Sequence, residues 1–395
     1  MIDIAVIKNL VFKKNEKEIL NIPQLNIPKN KIISLVGPSG AGKTTLLNIL
    51  AGIEKTNKTE VTLFNNMSTA EIGFIFQENF LYDEISVFHN IYLSAKNSFV
   101  WKKQNRIFFL EDFFIKHQIK SKNLCICFKK YKDNLIDKKE KKIFVKLYFK
   151  LFFYLLFNKP KFALKELIFQ CRIKNFFNRD LKCIAEKVEI TEILKHKAQN
   201  ISGGQKQRVL ITKAIIKNSQ LILMDEPFSA LDIKIKEKTI EWILKIKKEF
   251  NLSIILVTHD QNDALKISDY ILVMREGKIE QFDTKDNILE NPATYFVANF
   301  FCSPRLNVLE ETEEYKKFIK PRDITIKPTN KTTSWKIIKK DNVADVTIYK
   351  ISNGTTYYIT VNINNKMNVG DYVDLEINSE KVLKFKNEEI ENQYQ

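Results

Sequence analysis

The stretch Gly37-Pro38-Ser39-Gly40-Ala41-Gly42-Lys43-Thr44-Thr45 decides the fold. It follows an apolar run, Ile32-Ile33-Ser34-Leu35-Val36, and opens a helical pattern, Leu46-Leu47-Asn48-Ile49-Leu50. A strand, a G-x-x-x-x-G-K-[ST] loop and a helix in that order make a cradle for phosphate. Several backbone N–H groups converge there on one anion, at the positive end of a helix. Side chains would block the approach, so Gly37, Gly40 and Gly42 keep the loop bare. Lys43 then reaches the outer phosphates, and the Thr44 hydroxyl is placed to ligate Mg²⁺.

Outward from that loop, Leu221-Ile222-Leu223-Met224 is a second apolar run, and it ends in Asp225-Glu226. A buried strand that finishes in paired carboxylates behind a phosphate loop suits Asp225 to hold Mg²⁺ and Glu226 to polarise water. Ile254-Ile255-Leu256-Val257 is a third run and ends in Thr258-His259, where His259 reads as a contact to the reacting phosphate. Gln77 follows the strand-like run 72–76 and by itself is only a loop amide. Short β-runs are expected at 2–8, 18–22 and 60–64 as well.

One more stretch matters. Ile201-Ser202-Gly203-Gly204-Gln205-Lys206-Gln207-Arg208 opens a helix through 209–216. Ser202 is an N-cap candidate, and Gly203 and Gly204 leave backbone N–H groups bare at a helix start. That is a second anion site, far along the chain from the first. One chain has no use for two triphosphate cradles, unless each completes the other's site in a dimer.

At 395 residues the chain suits two or three domains. Its net charge is +17, and the bias toward Lys, Ile, Phe and Asn makes basicity alone weak support for a nucleic-acid role. The five cysteines show neither a C-x-x-C pair nor zinc-like spacing, and read as reduced, buried thiols of a cytoplasmic protein. The first residues lack a long apolar stretch, so no signal peptide is expected. No uncharged apolar run approaches the length of a membrane span.

Taken together, these motifs resemble the nucleotide-binding subunit of an ABC transporter. Residues 37–45 match its Walker A, Gln77 its Q-loop, and Ser202, Gly203, Gly204 and Gln205 its signature. The run 221–226 matches Walker B, Ser229-Ala230-Leu231-Asp232 the D-loop, and His259 the H-loop. The resemblance covers about 2–96 and 181–300. It implies an α/β fold: a P-loop NTPase core with a helical subdomain. It also implies ATP and Mg²⁺ as cofactors, with the metal on Thr44, Gln77 and Asp225. Catalysis falls to Glu226 with His259 and Gln77, and Asp232 joins the nucleotide contacts. The expected partners are a second ATPase subunit, identical or related, bound head to tail around two ATP, and integral membrane permeases. The place is the cytoplasmic side of the membrane, peripherally.

Within that family the tail is similar to importer ATPases of the sugar and polyamine type. Gly277-Lys278-Ile279-Glu280-Gln281, Glu290-Asn291-Pro292 and Phe296-Val297-Ala298-Asn299-Phe300 carry the likeness. Ser303-Pro304-Arg305-Leu306-Asn307-Val308-Leu309 leans to the sugar branch, so sugar or glycerol-phosphate cargo is favoured over polyamine. Strands at 343–348, 355–362 and 372–377, with Asn353-Gly354 and Asn364-Asn365 as hairpin signals, suggest a small OB-like β-barrel. The domains are then 1–96, 97–180, 181–300 and 301–395.

Three features depart from the family pattern. The aromatic residue expected to stack on adenine falls near Lys14, and Phe12, two residues earlier on the same strand face, is the substitute candidate. The link from 309 to 320 is short, so the barrel is expected to be truncated. Residues 97–180 look inserted: they hold 21 Lys/Arg against 7 Asp/Glu and 15 of the 29 Phe. Three readings stand for this insert: a helical bundle packed on itself or on the permease, a helix on the inner membrane leaflet, or a nucleic-acid surface without a recognition motif. In the second reading Phe144, Leu147, Leu151, Phe152 and Leu155 enter the lipid, with Lys142, Lys146 and Lys150 at the headgroups. The different-class rival for the whole chain is a soluble ABC ATPase acting on nucleic acid or ribosomes. Such proteins usually carry two motif sets, and this chain has one.

Overall fold

Uninterrupted apolar runs become buried strands here, and alternating ones become sheet faces. The computed structural model describes residues 2–387 apart from 57–59, 65–68, 77–80, 135–136, 159–160, 230, 333, 344 and 364–365. By its contacts the chain forms two units, Met1–Ser34 with Lys43–His259, and Leu35–Gly42 with Asp260–Gln395.

In the first unit, β1 (Asp3–Lys14) and β2 (Lys17–Pro28) pair antiparallel, longer than the short runs the sequence suggested. After β3 (Ile32–Val36) and α1 (Lys43–Leu50), β4 (Glu60–Leu63) pairs on the other side of β1. β5 (Gly73–Ile75) is followed by six helices: α2 (Val87–Asn97), α3 (Phe99–Lys116), α4 (Lys122–Asp133), α5 (Asp137–Asn158), α6 (Lys161–Gln170) and α7 (Ile173–Lys187). Then come α8 (Gly203–Ile215), β6 (Leu221–Asp225), α9 (Ile233–Glu249) and β7 (Ser253–Val257). β5, β6 and β7 run parallel, in register Gly73↔Ile222 and Asp225↔Val257, and β3 lies beyond β7. Parallel strands covered on both faces need mostly apolar side chains, as β3 and β7 have apart from one buried serine each, Ser34 and Ser253. Gly73 is required where α8 crosses β5, because a Cβ there would sit 2.4 Å from that of Ala214.

The insert builds its own core. Leu110 and Phe113 of α3, Tyr131 of α4, Leu147, Leu151 and Leu155 of α5, and Leu167 of α6 are all nearly or fully buried together. This agrees with the first of the three readings, a bundle packed on itself, and corrects the second at the residues it placed in lipid. Phe144, Leu147, Leu151 and Leu155 form one helix face, and that face packs into the bundle, with Phe152 half-buried beside it. The reason is that α3, α4 and α6 bring apolar rows of their own, and apolar surface prefers such partners to water.

In the second unit, α10 (Gln261–Ile267) precedes the hairpin of β8 (Tyr270–Arg275) and β9 (Lys278–Thr284), then α11 (Lys285–Glu290) and α12 (Tyr295–Phe300). Eight antiparallel strands follow: β10 (Asn307–Glu311), β11 (Tyr315–Ile319), β12 (Ile324–Pro328), β13 (Trp335–Val343), β14 (Val346–Ser352), β15 (Tyr357–Asn362), β16 (Tyr372–Ile377) and β17 (Leu383–Lys386). They make a three-stranded sheet, β10-β11-β17, and a five-stranded one, β12-β16-β13-β14-β15. The edges of the larger sheet meet where the Thr360 hydroxyl donates to the Ile324 carbonyl at 2.7 Å, so the sheet curls toward a barrel. The short link after 309 is a β-hairpin, not a loop. The run 343–348 is not one strand: β13 ends at Val343, Asp345 lies in a turn, and β14 begins at Val346. Asn353 does make a turn, its carboxamide oxygen accepting from the Thr355 and Thr356 amides. Asn364-Asn365 lies outside the described residues. The cysteines are free but not buried: Cys125 and Cys183 are exposed, and Cys127, Cys171 and Cys302 are half-buried.

Candidate nucleotide site

The first unit gathers five of the expected side chains at the ends of its parallel strands. Lys43 and Thr44 start α1, Asp225 ends β6, Glu226 follows it, and His259 stands two residues after β7. The Thr44 hydroxyl donates to Asp225 Oδ1 at 3.4 Å, and His259 Nδ1 stands 3.4 Å from Glu226 Oε1. Glu226 is held in left-handed backbone (φ 46°), its N–H donating to the Val257 carbonyl at 3.0 Å. A non-glycine residue in that region is strained, and such strain gathers at working sites.

The electrostatics follow from crowding. Burial raises Asp225 above the usual carboxylate range and Glu226 pushes the same way, against the Thr44 hydrogen bond and Lys43. Burial lowers the Lys43 amine, opposed by Glu226 and Asp225. A hydroxyl and a carboxylate oxygen side by side, with a second carboxylate near, form a hard-oxygen donor set that suits Mg²⁺. The lysine suits phosphate.

The bare loop belongs by its contacts to the second unit. Gly37 has φ 146°, and a Cβ there would lie 2.1 Å from the Met274 carbonyl oxygen. The Ala41 carbonyl accepts from the Gly277 N–H of the β8–β9 turn. Pro38, Ser39 and Gly40 are exposed, and a Cβ on Gly40 would point into open space. Gly42 leads straight into α1, with Thr45 half-buried in its first turn.

At the expected second anion site the helix start is capped. Ser202 caps α8: its Oγ accepts from the Gln205 N–H at 3.3 Å, while Gln205 Oε1 accepts from the Ser202 N–H at 2.9 Å. This reciprocal box fixes the helix start. It leaves the Ser202 O–H proton to donate outward, and Ser202 and Gly203 are exposed. Asp232 is the exposed N-cap residue of α9 and makes no side-chain capping bond.

Two expectations fare differently. Phe12 is only 9 % exposed and packs in the core beside Leu10, so it offers no ring face for a base to stack on. Gln77 and Ala230 lie outside the described residues. Sequence reading also missed Asn90, whose Oδ1 accepts from the Tyr82 N–H at 2.8 Å and whose Nδ2 donates to the Tyr82 carbonyl at 3.0 Å. Beside it a cavity of about 340 Å³ is lined by Phe74, Phe76, Tyr82, Ser94, Lys213 and Lys217. Burial lowers both of these lysines. The only sequence signal was an amide and one ammonium group on otherwise apolar helix faces, with a second ammonium group, Lys217, in the turn after α8.

A phosphate loop, a carboxylate pair at a strand end and a capped glycine helix together define an ABC-type ATP hydrolase. The family model for the ABC transporter matches residues 20–229, more than half of the chain, and the chain belongs to that family. The MG187-homolog ABC transporter ATP-binding protein of Mycoplasma pneumoniae is 44% identical over 140 residues, 35% of this chain but only 24% of that protein. The spermidine/putrescine import ATP-binding protein PotA of Mycoplasmopsis synoviae is 30% identical over 406 residues, 90% of this chain and 86% of its own. The sulfate/thiosulfate import ATP-binding protein CysA of Bacillus cereus is 28% identical over 289 residues, 71% of this chain and 62% of its own.

Proposed function

We propose that the chain is the ATP-hydrolysing subunit of a membrane importer and works as a dimer around two ATP molecules. The observation that carries this is the cluster of Thr44 on Asp225 and Glu226 on His259 at the strand ends, with a second, outward-facing anion site at Ser202. Bound Mg-ATP would supply the phosphoryl group and the metal charge, held by the 37–42 loop, Lys43, Thr44 and Asp225. Glu226 then orients the attacking water and takes its proton, and His259 holds the Glu226 carboxylate in place. Ser202, Gly203, Gly204 and Gln205 reach the nucleotide of a second copy or a related subunit, with Asp232 beside them.

The expected partners are integral membrane permeases at the cytoplasmic face, with the cavity beside Tyr82 as a docking groove. Among the described residues no helix is long and apolar enough to cross a membrane. For cargo, the stretch 303–309 favoured sugar, but the relative sharing 90% of this chain is named for spermidine and putrescine. Polyamine is therefore the cargo to test first, ahead of sugar.

The test uses the intact chain. Tagged protein is extracted from membranes, its companions are identified, and ATP-driven uptake of spermidine and of maltose is measured. Permeases and uptake are expected; capture of ribosomes without permeases would remove the importer reading. The dimer is tested in a Glu226→Gln background, where ATP is held and turnover falls by ~10²-fold or more. Ser202→Arg should leave ATP binding by the monomer intact and abolish the ATP-driven dimer on sizing chromatography. A dimer that survives Ser202→Arg counts against the composite site.

A further inference from the structure

Helix α5 has two apolar faces, and the bundle uses only one. Phe144, Leu147, Leu151 and Leu155 point into the core. On the opposite side Phe149 is 55% exposed, Phe153 54%, Leu156 50% and Phe157 78%. These recur at helical spacing, so they form a continuous ridge rather than scattered contacts. Lys142 and Lys146 lie along the same outward face and are exposed; Lys150 is exposed at its flank toward α4, where its Nζ stands 3.4 Å from Cys127 Sγ. Among the described residues no ion pair engages Lys142 or Lys146, and residues 141–158 contain no Asp or Glu.

Scattered exposed apolar residues are ordinary, but a contiguous aromatic ridge marks an interaction surface. The charge beside it selects the partner. Four lysines in a segment without acids, Lys141, Lys142, Lys146 and Lys150, on an insert whose balance is +14, call for a surface that is itself negative. An apolar groove in another protein would accept the phenylalanines but gain nothing from the ammonium row. Nucleic acid would accept the lysines and stack a few rings, but four side chains of one ridge, including Leu156, ask for a medium that takes them all. We propose that the outward face of α5 lies in the headgroup layer of an anionic bilayer, with its rings among the upper acyl chains and its ammonium groups on the phosphates. The lysine stems reach past the ring level to do this. The helix lies on the surface and does not span it. The inference is separate from the importer reading, because it concerns no residue of the nucleotide site.

The experiment is co-sedimentation of the full chain with vesicles of phosphatidylcholine alone, or with phosphatidylglycerol added, in low and high salt. Binding to the anionic vesicles is expected, several-fold weaker on neutral ones, and falling as salt screens the lysines. Exchange of Lys142, Lys146 and Lys150 for Gln should weaken it by about fivefold per lysine at low salt. Phe149→Ser with Phe153→Ser and Phe157→Ser should remove it. ATP hydrolysis and far-UV circular dichroism of each variant show that the chain is folded. These readouts also separate a failed lipid surface from a failed ATPase. Three results would overturn the proposal: no binding to anionic vesicles at low salt, wild-type binding by the lysine variant, or binding to an RNA oligonucleotide that excludes the vesicles.

Discussion

Two carboxylates of the same unit are treated in opposite ways. Glu166, in the insert, receives Lys116 at 2.8 Å and His117 at 2.9 Å, and these partners hold its pKa below the usual range although burial works against them. Asp225, at the strand ends, is raised by burial and by Glu226, and only Thr44 and Lys43 act against that. The insert pairs its buried carboxylates from within: Glu140 likewise accepts from Arg106 and from the Tyr131 hydroxyl, both at 2.6 Å. The nucleotide site instead concentrates negative charge around a strained Glu226. One region is arranged for stability and the other for chemistry that brings a cation and a phosphate with it.

The sharpest way to break this contrast is at Glu140. Glu140→Ala leaves Arg106 and Tyr131 without their buried partner, and should destabilise the bundle by about 3–5 kcal/mol in urea unfolding. ATP turnover per folded molecule should not change, since no residue of the site touches Glu140. If turnover fell with the bundle still folded, the two regions would not be separable.

A smaller effect should appear with acid. A carboxylate with a depressed folded pKa stabilises fully above its unfolded value and loses this as pH falls through the folded one. Glu166 therefore supports the bundle at neutral pH by about 1–2 kcal/mol, a contribution that fades below about pH 4.5. Comparing Glu166→Gln with the parent should give melting curves that differ at pH 7 and converge toward pH 3. A gap that stays constant with pH would mean that Glu166 acts by packing and not by charge.

The smallest expected change has the opposite sign. A carboxylate with a raised folded pKa costs stability at neutral pH, where it is charged, so removing the charge should help the fold. Asp225→Asn should raise the melting temperature by about 1–2 °C while turnover collapses. A lower melting temperature would mean that the Thr44 contact outweighs the crowding.

The alternate fates of α5 show where reading the sequence stops. Its period of apolar residues was legible, and so was its lysine row. Which of two apolar faces turned inward was not, because both satisfy helical spacing and only the rows on α3, α4 and α6 choose between them. The same holds for Phe12, whose place on a strand was readable but whose burial beside Leu10 was not. The sequence by itself determined the phosphate loop, the strand-end carboxylates and the glycine-led helix, because each is local chemistry that demands certain residues at fixed spacing. Tertiary structure alone decided that Asp225 would be short of positive charge and Glu166 supplied with it. That difference lies in which side chains arrive from distant parts of the chain, and a pKa is set by those neighbours and by burial.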